Sequence, residues 1–523
     1  MPLSAVTPKH FTAANWCCEF KAARGTGDGS YRGHTMKDLK EKAIRGGLSR
    51  ISAQAVNFVL RLGSLMVLAR LLDPKDFGLV GMVTAFTGVL TLFRDFGLSS
   101  AAIQRTTVTK EQISTLFWIN VFVGAMLAIV AVALAPAIAS FYHERRLIGI
   151  TAVLALAFVF NAAGVQHSVL LQRDMRFTAL AVINTVGLIV GTAIAIAGAF
   201  AGFGYWSLVA MTVTAPLIST IGFWLTTAWI PGMPRRRTGI RSMMRFGGTL
   251  TLNGFVAYVA YNFEKVLIGR FWGVEAIGIY GRAYQLINIP TENLNSAVGE
   301  VAFSALSRVK DDLSRFRSYF LKGYSLVLGL TLPITILCAA FARDLILVLL
   351  GPKWEAAVPI FRLLAPTIAI FAIINPLGWL LNSLGLVERG LKIALVFAPV
   401  MIAGYAAGIS YGPKGVAFCY SAVMALWVIP LIAWCVHGTV ITLRDILLTV
   451  SRPLVSALLA GSIAFGARLV FGEFFSPLPR LVLESVILFV SYFVTLLFVV
   501  GQKSLYLDIL KGLKAPSAIH VSS

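Results

Sequence analysis

Apolar residues in this chain come in long, nearly continuous runs, such as Leu147–Phe160 and Leu481–Val500. A strand would alternate and a soluble helix would show a one-sided stripe. Fourteen such runs can be marked, at about 51–72, 77–93, 116–138, 147–170, 177–200, 205–229, 246–271, 278–304, 320–341, 357–383, 391–409, 416–436, 453–470 and 481–500. Each is about 20 residues, the length that crosses the hydrocarbon core as a helix. Backbone in lipid must satisfy its own hydrogen bonds, which leaves helices or a closed barrel, and barrel strands would alternate over about ten residues. The pattern therefore predicts an all-α membrane protein of about fourteen transmembrane helices.

Composition agrees: 58% of the 523 residues are hydrophobic and 13% charged, against about 45–50% and 25% in a soluble domain. Lipid has to cover the excess. The net charge of +22 would suggest nucleic acid in a soluble protein, but here it is sorted by loop. One set of alternate loops holds Arg105, Lys110, Arg173, Arg176, Arg235–Arg237, Arg308, Lys310, Arg389, Arg444 and the basic tails. The other holds little beyond Lys75, Arg145, Arg146, Arg343, Lys353, Lys414 and Arg480. The positive-inside rule then predicts both termini in the cytoplasm, which suits an even number of spans. Cys17, Cys18, Cys338, Cys419 and Cys435 show no metal-type spacing. With no loop longer than about twenty residues, function falls to the helices.

Two stretches repeat at an offset of 200. Arg70, Gly78 and Gly81 match Arg270, Gly278 and Gly281, and upstream Arg45 and Gly47 match Arg245 and Gly247. Six spans separate the copies, so both halves run the same way through the membrane, an arrangement suited to alternating access between two lobes. The predicted organisation is a basic N-terminal extension at 1–45, an N-lobe at 46–229, a C-lobe at 230–436, and two further helices with a tail at 437–523.

Charged side chains inside spans cost about 2.5–3.5 kcal/mol each on insertion scales and usually mark a cavity or a partner. Arg282, Gln285, Asn288, Glu292, Asn295 and Gly299 share one face of the eighth span, so this stripe lines a wet cavity or packs against polar neighbours. Pro290 within it favours a kink. Arg61 sits mid-span, with Gln54 and Asn57 on the same face. A guanidinium in a low-dielectric cavity suits phosphate; the alternative is a salt bridge to Glu264 or Glu292. Glu264 and Lys265 point about 100° apart on a helix, so only one of them faces any given cavity, and Lys265 is a second candidate cation. Arg362 reads as an interfacial residue. Asn161, Gln166, His167, Asn375 and Asn382 read as interhelical hydrogen-bonding groups.

Further segments carry a resemblance: Val67–Asp73 into Phe77-Gly78-Leu79, Asp95-Phe96-Gly97-Leu98 with Ile103-Gln104-Arg105, Leu116–Asn120, and Gly351-Pro352-Lys353-Trp354. On these the chain resembles the polysaccharide transporter (Wzx-type) branch of the multidrug/oligosaccharidyl-lipid/polysaccharide flippase superfamily, and is similar to exporters of colanic acid and succinoglycan units. The resemblance implies two six-helix lobes in a V and a bacterial inner-membrane protein. It also implies an undecaprenyl-diphosphate-linked oligosaccharide as cargo, an ion gradient or membrane potential as the drive, no cofactor, and a polysaccharide polymerase or co-polymerase as a partner. In the related lipid II flippase, cavity arginines hold the diphosphate; Arg61 is the residue here whose environment suits that role. Met36–Lys42 resembles the usual start of the family, which makes residues 1–35 an extension. Two rivals remain: a small-molecule exporter of the same fold, which would favour acidic and aromatic cavity residues, and a polyprenyl-linked glycan polymerase or ligase, which would need a large outer loop.

Overall fold

A computed structural model describes residues 56–94, 109–234, 241–309, 311–471 and 475–502. Gln54, the N-terminal extension and Asp95–Arg105 lie outside the described residues. Every regular element among those described is helical. Ten segments are long and apolar enough to cross a membrane, one of them, Glu388–Val436, spanning two successive helices.

Helix α1 covers 56–71. The turn after it is set by Asp73, whose N–H donates to the Asp76 carboxylate (3.1 Å), and Pro74 occupies the first turn of α2 (Pro74–Leu92), where no backbone donor is missed. Then come α3 (Lys110–Tyr142), α4 (Leu147–Arg173), α5 (Phe177–Phe200) and α6 (Tyr205–Thr227). α3 starts six residues before its apolar run at 116, because Thr109 and Gln112 form a reciprocal capping box (3.0 and 3.2 Å). Within this group α3 packs on α4, α4 on α6, and α5 on α6. Small residues allow it: a methyl added at Gly124 would strike Ala162 and the Phe158 carbonyl, and one at Gly187 would strike Ser219 and the Ala215 carbonyl. Close backbone approach of this kind drives helix association in lipid, where burial of apolar surface gives little preference.

The second group begins with the predicted seventh and eighth spans, two helices labelled together as α7 (Arg241–Arg308); they meet at Gly273 (φ 80°, ψ −170°), with no loop over 271–278 between them. That φ favours glycine, and it folds α7 into two arms, 241–272 and 274–308. Pro290 lies within the second arm, where dihedrals stay helical.

Next are α8 (Leu313–Ala340), α9 (Ala342–Leu349), α10 (Ala357–Leu364), α11 (Pro366–Ser383), α12 (Val387–Gly408) and α13 (Gly412–Val436). α10, α11 and α12 pack on α7, and α13 on α11 and α12. The final pair, α14 (Leu443–Phe471) and α15 (Pro477–Val494), packs on α8, with α15 also against α9. α14 begins ten residues before its predicted span at 453. Thr442 and Asp445 cap it reciprocally (3.0 and 3.2 Å), and Arg317 on α8 pairs with Asp445 (2.6 Å).

α9 carries a buried ion cluster. The Asp344 carboxylate, fully buried, pairs with Arg468 on α14 (3.1 Å) and with Arg480 on α15, while Glu484 lies 3.8 Å from Arg468. These charges pin the last two helices to the rest of the molecule.

Candidate functional site

Between the two groups lies a cavity of about 860 Å³, large enough for a bulky polar headgroup. Its walls come from α1, α2, α5, α6 and both arms of α7. Of the nine residues singled out from the sequence, six line it: Asn57, Arg61, Lys265, Arg282, Gln285 and Asn288. Gln54 lies outside the described residues; Glu292 and Asn295 lie on the second arm of α7, but their side chains are not among those described.

The lining contains three cations and, among the described residues, no carboxylate. Arg61 makes no ion pair among the described residues. The Lys265 ammonium donates to Asn262 Oδ1 (2.7 Å) and sits 4.7 Å from the Tyr284 ring centre. Its neighbour Glu264 is fully buried off the cavity wall, its carboxylate oxygens without a hydrogen-bond partner among the described residues. The 100° between successive helical positions separates the two, as expected. Arg282 donates to Gln285 Oε1 and lays its guanidinium 4.2 Å from the centre of the Phe77 ring on α2. Cations that meet no carboxylate among the described residues leave donors free for an anion.

Sequence reasoning missed Asn184 on α5, Thr212 on α6, and Ser64, Thr84 and Tyr284. Asn184, a lone amide inside an otherwise apolar run, was the available signal; hydroxyls are too common in spans to single out. Arg362 is exposed on α10, away from the cavity.

One end of the cavity is closed by the sequence repeat itself. A methyl added at Gly78 would collide with the Val274 carbonyl, and one at Gly278 with the Pro74 carbonyl. Residues 74 and 78 correspond to 274 and 278, so the contact is reciprocal: each copy's glycine receives the other copy's carbonyl. Lys75 and Glu275, also equivalent, pair across it at 3.6 Å. The second matched pair, Gly81 and Gly281, faces the cavity instead.

Outside the seam, Arg70 donates to the Val348 carbonyl (2.8 Å), Lys353 pairs with Asp73 (2.8 Å), and Trp354 Nε1 donates to the Ala69 carbonyl (2.8 Å). Arg270, the counterpart of Arg70, reaches back over the Phe141 ring at 5.7 Å. The motif quoted at Gly351–Trp354 is thus part of the closure: Gly351 takes φ 98°, and the turn it makes seats Trp354, fully buried, against Phe77 at 5.3 Å.

The family described as "Polysaccharide biosynthesis protein" matches residues 67–359, more than half of the chain. The chain belongs to this family. The match spans the seam, from the end of α1 through Trp354, and most of the cavity wall. Among similar proteins, the lipopolysaccharide biosynthesis protein WzxC of Escherichia coli K12 is 26% identical over 376 residues, 70% of this chain and 76% of that protein. The succinoglycan biosynthesis transport protein ExoT of Rhizobium meliloti is 24% identical over 434 residues, 82% and 86%. The fold is also that of a lipid II flippase, MurJ, in an inward closed conformation: TM-score 0.68 at 13% identity, covering 89% of this chain and all of that one. An inward-facing MATE family multidrug transporter of the MOP superfamily gives 0.60 at 13%, covering 75% and 97%. This member of the polysaccharide biosynthesis family is therefore a multi-pass membrane protein with the fold of the flippase superfamily.

Proposed function

We propose that this protein is a flippase that carries an undecaprenyl-diphosphate-linked oligosaccharide across the bacterial inner membrane for exopolysaccharide or lipopolysaccharide assembly. The observation that carries the reading is a cavity lined by Arg61, Lys265 and Arg282 with no carboxylate among its described lining residues, beside the contact between two copies of one repeated motif. Two phosphate charges buried alone in hydrocarbon cost far more than a transporter can supply. Cations around a wet hollow offset that cost, while the polyprenyl chain stays in lipid and the amides of Asn57, Asn184, Gln285 and Asn288 meet polar parts of the cargo.

In this reading the protein crosses the membrane fourteen times with both termini cytoplasmic, since the Lys/Arg-rich loops lie on one side. The N-lobe is 46–229 and the C-lobe 230–436, with the last helices at 437–523. The Gly78–Gly278 seam then faces outward, and the cavity loads from the cytoplasm. Transport, not bond-making, is the activity, and an electrochemical gradient drives it. A polymerase on the far side takes the delivered unit. The relatives' names, a succinoglycan transport protein among them, support the same class. A cation exporter on this fold is disfavoured because its cargo would be repelled by the cavity.

Deleting the gene and analysing the lipid pool by mass spectrometry tests the reading. One undecaprenyl-diphosphate oligosaccharide is expected to accumulate on the cytoplasmic face. An unchanged lipid pool together with normal polysaccharide would overturn it.

A further inference from the structure

Arg282 and Phe77 join the cavity to its closed end. The guanidinium is a cavity group that donates to Gln285 and also lies 4.2 Å from the centre of the Phe77 ring, on the opposite side of the seam. No carboxylate pairs with it among the described residues. Phe77 precedes Gly78, whose backbone takes the Val274 carbonyl, and the ring lies edge-on to Trp354 at 5.3 Å. Trp354 in turn holds the Ala69 carbonyl of α1. A cavity cation thus stacks on a residue of the seam itself.

We propose that the Arg282–Phe77 stack is a cargo-sensing latch, Phe77 acting as a positioning residue that holds Arg282 and the seam closed until a diphosphate takes the guanidinium. The inference rests on the diphosphate reading above. A cation on an aromatic face is weaker than the same guanidinium forked onto two phosphate oxygens, so an arriving anion outcompetes the ring. Losing the stack removes a contact made only in the closed state. A ligand shifts a conformational equilibrium by the difference in its affinity for the two states, and here that difference arises at a single side chain. An empty carrier keeps the stack and stays shut, which limits leakage through the cavity. Gln285, bonded to the same guanidinium, steadies Arg282 in the stacked position.

The test uses the full chain, its five cysteines replaced, in lipid nanodiscs. Lys75→Cys and Glu275→Cys, at an exposed pair across the seam, are joined by a short thiol crosslinker, and the crosslinking rate measures closure. Labelled farnesyl diphosphate is the probe, and its binding is measured separately on the same sample. With Phe77 in place, bound diphosphate is expected to slow crosslinking at least threefold. Phe77→Leu is expected to be slow without ligand and indifferent to it, while Phe77→Tyr, which keeps the ring face, behaves as the parent. Arg282→Gln, which leaves the Phe77–Trp354 contact in place, is also expected to crosslink slowly without ligand. Farnesyl diphosphate that binds without changing the rate overturns the latch, as do Phe77→Leu and Arg282→Gln proteins that close like the parent. No binding at all would instead overturn the diphosphate reading, and the ligand-free rates would still judge whether the stack holds the seam.

Discussion

Arg61 is the cation whose environment is simplest, because it lines the cavity from α1 and pairs with no carboxylate among the described residues. Under the proposed function it meets the diphosphate and does little else. Arg61→Ala should leave abundance in the membrane near normal. It should cut polysaccharide export about tenfold to a hundredfold, the loss expected from about 1.5–3 kcal/mol of charge-assisted hydrogen bonding. Export at the parental rate would remove Arg61 from the site. Both Arg61 and the Arg282 stripe were legible in the sequence, because ionisable groups inside apolar runs are rare and costly. Asn184 and Tyr284 were less so: an amide or a phenol in a span satisfies too many structural roles to stand out. Phe77 stood in a segment that carries the family resemblance, but its contact with Arg282 was not legible, since that depends on what approaches it from another helix.

At the scale of the elements, α2 and α7 are joined by a contact that permits nothing larger than hydrogen. Gly278→Val would drive side-chain atoms into the Pro74 carbonyl, a backbone group that cannot rotate away. Overpacking typically costs about 1–3 kcal/mol, and here the cost falls only on the closed state, so about tenfold or more of the closed population is lost. The expected outcome is a correctly inserted protein with export reduced at least tenfold and a raised rate of thiol labelling at a cysteine placed at position 81. Unchanged labelling would show that the seam tolerates the bulk. The repeat that identifies these glycines was visible as an offset of 200 residues. What it was for was not, since matching residues in two copies can face lipid, a neighbour or each other. How tightly the two arms of α7 join was equally hidden: Gly273 reads as one residue of a loop, but it makes the whole turn between them.

For the molecule as a whole, attachment of the last two helices depends on ions buried out of water. Asp344 serves two arginines, and removing its charge takes from each the carboxylate it pairs with there. Breaking a buried pair costs about 3–5 kcal/mol, and the partial exposure of Arg468 and Arg480 places the effect toward the lower figure. Asp344→Asn should therefore lower the thermal midpoint of the detergent-solubilised protein by several degrees. A midpoint within one degree of the parent would mean that the apolar faces of α14 and α15 suffice to hold them.

The hydrophobic pattern by itself determined that this is a helical membrane protein, roughly where its helices run, and which ionisable groups had to have a purpose, because lipid penalises every polar group that lacks one. Residue identities at one offset showed, separately, that two stretches repeat. Which side chains converge on one hollow, that Glu264 turns away from it while Lys265 faces it, and that the two repeats seal against each other through paired glycines were decided only by tertiary packing. Periodicity fixes the face of a helix on which a residue lies, but the partner that face meets depends on helices hundreds of residues away.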